Sequence, residues 1–210
     1  MADQITINPA CCALLVMDFQ AAIVSIYTKN DAALIERAAR LLTAARNAGL
    51  TVIHVQVAFR PNLPEVSGRN MLLSAIKTSP QHRQIFEGAA GAIHPAVAPQ
   101  GDDIVVTKRR VNAFTGTDLE MILRARDIDT LILFGIATSG VVLSTLLDAA
   151  DRDYRLIVAK DCCADLDAEG HTWLTSKLFP RQAIVAEASE IAKALSSTGP
   201  ARGLAQQGVP

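Results

Sequence analysis

Six apolar runs of strand length recur along the chain with helical segments between most of them, and this alternation narrows the fold more than any other feature. The runs are ALLVMDF (13–19), TVIHVQV (51–57), DIVVTK (103–108), TLILFGI (130–136), RLIVAKD (155–161) and QAIVA (182–186). They are apolar along most of their length instead of alternating, which is the pattern of strands covered on both faces. Over 31–48, Leu34, Ile35, Ala38, Leu41, Leu42 and Ala45 share one helical face, and Gly49 stops the helix. Thr117 followed by Glu120 predicts a capping box ahead of Met121, Ile122 and Leu123. Further helices are predicted over 140–152, 168–179 and 187–196. Strands and helices in this order predict an α/β fold: a doubly wound, six-stranded, mainly parallel sheet with helices on both faces.

The chain has 210 residues, enough for one domain with a sizeable core. Half of them are hydrophobic and 20% charged, which excludes general disorder. Aromatics make up only 4%, so Ala, Val, Ile and Leu must build the interior. Twenty Lys and Arg against 21 Asp and Glu give no general field for nucleic acid or an anionic membrane. No apolar run approaches the ~20 residues that span a bilayer. The opening MADQITINPA has no signal-peptide pattern, and the cysteines form two adjacent pairs, Cys11–Cys12 and Cys162–Cys163, without C-x-x-C spacing. Reduced thiols in the cytoplasm are therefore expected. Residues 1–195 are expected to form a single domain, and SSTGPARGLAQQGVP (196–210) a mobile tail. The stretch 58–102 is irregular, with one short helical candidate near 69–77. A connection of that length is expected to serve as a lid or an oligomer contact.

Ligands of open α/β sheets bind beyond the carboxyl ends of the strands, at the point where strand order reverses. Asp18, Lys108, Gly135 to Val141 and Asp161 all follow strands. Asp18 lies among aliphatics, where a carboxylate is costly unless a partner compensates, and Lys108 is the candidate partner. The plainer reading makes Asp18 a loop cap and Lys108 a solvated lysine beside Arg109 and Arg110. His54 reads as a half-buried strand histidine, and His171 as a packing or capping residue. Neither belongs to a metal-binding spacing, so no metal is expected. The chain has no G-x-S-x-G, no P-loop, and no G-x-G-x-x-G after its first strand, so no nucleotide cofactor is expected either.

Together, LLVMDFQ, the run VVTKRRVNAFTGTDLEMILRARDIDTLILFGIATSGVV, and DAADRDYRLIVAKDCCADLD followed by a histidine resemble the isochorismatase-like hydrolases of the cysteine hydrolase superfamily. The resemblance runs from about residue 11 to 195. It implies a three-layer, Rossmann-like fold and a small-molecule substrate, with no cofactor. It further implies a homo-oligomer, a dimer or tetramer. In the family's amidases an Asp takes the proton of a Cys thiol, a Lys holds charge nearby, and the thiolate attacks a carbonyl. The resemblance puts the Asp and Lys at Asp18 and Lys108. It also implies a cis peptide between Ile136 and Ala137, with the backbone N–H groups of Ala137 and Val141 forming an oxyanion hole.

The family's cysteine position is Val141, which can form no thiolate. Three readings follow. The first is a hydrolase of a small amide, ureide or vinyl ether that needs no covalent step. Isochorismatases proper resemble this: their aspartate acts as general acid toward the vinyl carbon before water adds, and the resemblance gives that part to Asp18. The second is a catalytically silent member, or an engineered nucleophile variant, that keeps the pocket. The third moves the nucleophile to Cys162 or Cys163. Phe59 and Arg60, in the irregular stretch, are candidate substrate-binding residues by position alone.

Overall fold

The computed structural model describes residues 5–197; the tail expected over 196–210 lies outside them from residue 198 onward. In chain order the elements are β1 (Cys12–Met17), α1 (Ala21–Thr28), α2 (Ala32–Asn47), β2 (Thr51–Val57), α3 (Met71–Thr78), α4 (Pro80–Gln84) and α5 (Gly88–Gly91). There follow β3 (Ile104–Lys108), α6 (Leu119–Ala125), β4 (Thr130–Gly135), α7 (Leu143–Asp151), β5 (Arg155–Ala159), α8 (Ala168–Trp173), β6 (Ile184–Ala186) and α9 (Ala188–Ser196). The six strands form one sheet in the order β3-β2-β1-β4-β5-β6, and every pairing is parallel. The fold is thus the three-layer α/β sheet that the apolar runs predict.

Burial explains why those runs are continuous. Every residue of β1 and of β4 is buried, so neither strand has a polar face to show. α2 is amphipathic: Leu34, Ala38, Leu41, Leu42 and Ala45 are buried, and Asp31 caps its start by accepting from the Ala33 and Leu34 amides at 2.9 and 3.4 Å. Chain order reverses at β1, which pairs with β2 on one side and β4 on the other. The carboxyl ends of β1 and β4 therefore meet at the switch point.

Several expectations change in detail. The predicted capping box at Thr117 does not form. The Thr117 hydroxyl donates to the Ala113 carbonyl at 2.7 Å, and the Glu120 carboxylate turns to Arg124 at 2.7 Å and Arg152 at 3.5 Å. Cationic partners hold Glu120, and the Thr117 amide that the box would have used donates instead to the Phe114 carbonyl at 3.3 Å. The helix predicted over 168–179 is α-helical only to Trp173. It continues as a wider π-type turn and then a tight turn, Phe179–Arg181, built around Pro180, which has no N–H to donate. The stretch 58–102 contains three short α-helices and a tight 3-10 turn at Pro95–Val97 where one short helix was expected. Leu63, Val66, Leu73 and Ile76 form a small separate core there, with Phe59 and Phe86 against it. His54 is fully buried on β2, with Nε2 3.0 Å from Asp103 Oδ2, and Arg46 from α2 pairs with the same carboxylate. It ties β2 to α2 and the start of β3 and takes no part in the site. Among the described residues no helix is long and apolar enough to cross a membrane.

Candidate active site

β1 ends at Met17 because Asp18 turns the backbone into the left-handed region, with φ at 55°. This turn aims the carboxylate off the sheet end, while the Asp18 amide still donates to the Val55 carbonyl at 2.8 Å. Two strands away, β3 delivers Lys108 at its last position. Lys108 Nζ lies 2.8 Å from Asp18 Oδ2, and both side chains are buried. Asp18 Oδ1 is also buried and has no hydrogen-bond partner. Burial pushes the Asp18 carboxyl up to about 6 against the opposing pull of Lys108. The pair is therefore an ion pair whose carboxylate sits close to its proton-exchange point near neutral pH.

Gln20, not singled out from the sequence, braces this end. Its amide is buried, accepts from the Val57 amide at 2.7 Å, and donates to the Val57 carbonyl at 3.0 Å and the Gly91 carbonyl at 2.6 Å. It locks the end of β2 and α5 beside Asp18.

β4 supplies the opposite wall. The Ile136–Ala137 peptide is cis, and the Ile136 amide donates to the Met17 carbonyl at 3.2 Å. The chain then makes a π-type turn over Thr138–Val142 that runs into α7. Three contacts from the segment after β5 hold this corner. The Thr138 amide donates to the Ala164 carbonyl at 2.9 Å, and the Ser139 amide to Asp165 Oδ2 at 2.7 Å. The Thr138 hydroxyl shares a 2.8 Å hydrogen bond with His171 Nδ1. His171 is therefore a brace of the corner, as Asp165 is; the latter carried no recognisable signal in the sequence beyond being an Asp in a turn.

Asp18, Lys108, Ile136, Ala137 and Val141 line one cavity of about 520 Å³. Val141 is 2% exposed and forms part of its apolar wall. Phe59 lines the same cavity, whereas Arg60 lines a neighbouring one and leans on Glu65 at 3.9 Å. Phe59 lines that neighbouring cavity as well, so it borders both, and only Arg60 is absent from the wall that holds Asp18 and Lys108. Asp161, also at a strand end, turns away, pairing with Arg37 at 3.3 Å and accepting from the Ala188 amide. Cys162 and Cys163 are buried and lie outside the cavity lining. Burial raises both thiols, Cys163 to about 12, which removes the thiolate a displaced nucleophile would need. Arg109 and Arg110, read as solvated, are both half-buried: Arg109 pairs with Glu65 at 3.2 Å, and Arg110 lines the cavity. Among the described residues no group of His, Cys, Asp and Glu is arranged to hold a metal ion.

Residues 12–190 match the family model of the Isochorismatase domain. Maleamate amidohydrolase of Pseudomonas putida is 31% identical over 164 residues, which cover 76% of this chain and 75% of that protein. A ureidoacrylate amidohydrolase of Methylorubrum extorquens is 38% identical over 137 residues, 60% of this chain and 55% of that protein. The solved structure of an isochorismatase family protein from Burkholderia thailandensis superposes with a TM-score of 0.79 at 30% identity, covering 91% of this chain and 98% of that one.

Proposed function

The chain belongs to the isochorismatase family of hydrolases, and from that premise we propose that it hydrolyses a small amide or ureide without an acyl-enzyme. One observation carries the reading. A buried carboxylate with one oxygen on Lys108 and the other unpartnered faces a cavity in which position 141 is Val. Asp18 Oδ1 takes a proton from water, and the hydroxide adds to the substrate carbonyl carbon. The resulting oxyanion is held by the backbone N–H groups of Ala137 and Val141, at the start of a helix, where partial positive charge also gathers. The tetrahedral intermediate then expels the amine, which leaves with the proton from Asp18. Lys108 keeps the carboxylate oriented and offsets its charge while it waits for that proton. The amide and ureide class is supported by the substrates named for the two relatives. An enol ether needs the reverse proton movement, from Asp18 to carbon, and the same atom serves it. By family resemblance the protein works as a cytoplasmic homo-oligomer.

Val141 itself favours a second reading, a pocket that binds without turnover. Steady-state hydrolysis of short unsaturated amides, ureides and enol ethers separates the two, run on the wild type beside Asp18→Asn and Val141→Cys. The first reading expects turnover in the wild type, a loss of about 10²–10⁴-fold in Asp18→Asn, and no acyl adduct by mass spectrometry. A silent wild type with amidase activity appearing in Val141→Cys establishes the second.

A further inference from the structure

The cavity wall carries Lys108 and Arg110 as cations against the single carboxylate of Asp18, with His82 beside them. Lys108 and Asp18 pair with each other. Arg110 makes no ion pair among the described residues. Its Nη1 donates to the Arg109 carbonyl at 2.6 Å and its Nη2 to the Glu65 carbonyl at 3.0 Å. Glu65 splits its two acceptor groups: the carboxylate goes to Arg109 at 3.2 Å and Arg60 at 3.9 Å, while only the neutral carbonyl reaches Arg110. Carbonyl acceptors fix the orientation of a guanidinium without cancelling its charge. An uncompensated cation in a cavity also lined by Ile23, Ile76, Val111 and Phe86 attracts an anion more strongly than it would in water. The anchor is also tied to the reacting pair, because Lys108 Nζ donates to the Arg110 carbonyl at 3.1 Å.

We propose that Arg110 holds a carboxylate on the substrate, so that the cavity selects short monocarboxylic acids with the scissile group at the other end. The proposal rests on reading this cavity as the reaction site. A guanidinium offers a planar pair of donors to a carboxylate, which sets orientation as well as affinity.

The test uses crotonate and its neutral counterpart crotyl alcohol, neither of which has a bond to hydrolyse, so binding is measured apart from turnover. Calorimetric titration of the wild type is expected to show crotonate bound at least about tenfold more tightly than the alcohol. Arg110→Gln is expected to erase that ratio while leaving alcohol binding unchanged, and Arg110→Lys to retain part of it. Equal binding of the two ligands by the wild type overturns the proposal. So does a preference that survives in Arg110→Gln, which would assign the anion to Lys108, or a loss of both ligands together, which would make Arg110 a purely structural brace. A crotonate preference in a protein that hydrolyses nothing leaves the anchor standing and removes the hydrolase reading; turnover without the preference does the opposite.

Discussion

At Asp18 two opposing effects set the acidity: burial raises the carboxyl and Lys108 pulls it down, leaving it at about 6. The direction of the pH dependence therefore reports the chemistry. If Asp18 activates water, it works ionised, and kcat/KM falls as pH drops through about 6. If it donates a proton to an enol ether, it works protonated, and kcat/KM falls as pH rises through the same point. In Lys108→Met the downward pull is gone, so the inflection is expected to move above 6; a pH–rate profile, or titration of the carboxyl by NMR, checks it. Asp18 and Lys108 were legible in the sequence because each breaks an apolar strand at its carboxyl end. The different fates of Arg109 and Arg110 were not, because Glu65, which neutralises one and only orients the other, lies more than forty residues earlier in the chain.

Among the elements, the β1–β4 contact leaves no space at Gly135. A Cβ there would lie 2.5 Å from the Met17 carbonyl oxygen, a backbone atom that cannot move aside alone. Gly135→Ala is expected to cost about 1–3 kcal/mol in denaturant unfolding and to displace the corner that follows. Asp165→Ala removes the carboxylate that receives the Ser139 amide, at an expected cost of about 1.5–3 kcal/mol; activity measured beside stability shows how far the corner loosens. The inner strands β1 and β4 were readable because burial on both faces leaves an uninterrupted apolar run, and the edge strands β3 and β6 because they stay aliphatic although Val105 and Ile184 are exposed. α1 was not, since AAIVSIYT has too few polar residues to mark an outer face. The helices of 58–102 were mostly hidden because they are short: α4 is five residues and α5 four. That region is held partly by a small core assembled from residues 63–76, with Phe59 and Phe86 against it, a contact set with no local period. The corner after β4 was recognisable from GIATSGVV, but its braces at Asp165 and His171 come from a later crossover and leave no pattern in that stretch.

Across the whole molecule the site joins two halves of the sheet: β1 and β3 bring the charged groups, and β4 brings the corner that faces them. The far end of the sheet has its own pH dependence. Burial lowers the pKa of His54 below its ordinary value of 6.5, so the unfolded chain binds a proton there that the folded chain resists. The stability that follows is present above about 6.5 and is lost as pH falls below it. Wild type and His54→Gln, compared by urea unfolding from pH 7.5 to 5, are expected to show wild type losing more stability than the variant as pH drops. The strand order has a further consequence on the ribosome. β1 is synthesised first, yet its second neighbour, β4, is not made until Thr130–Gly135. Until then CALLVM has one full row of backbone donors and acceptors with no strand to receive them. Translation arrested between β3 and β4 leaves a sticky apolar template. Fragments ending before Thr130 are therefore expected in inclusion bodies, and the nascent chain is a natural client for a holding chaperone.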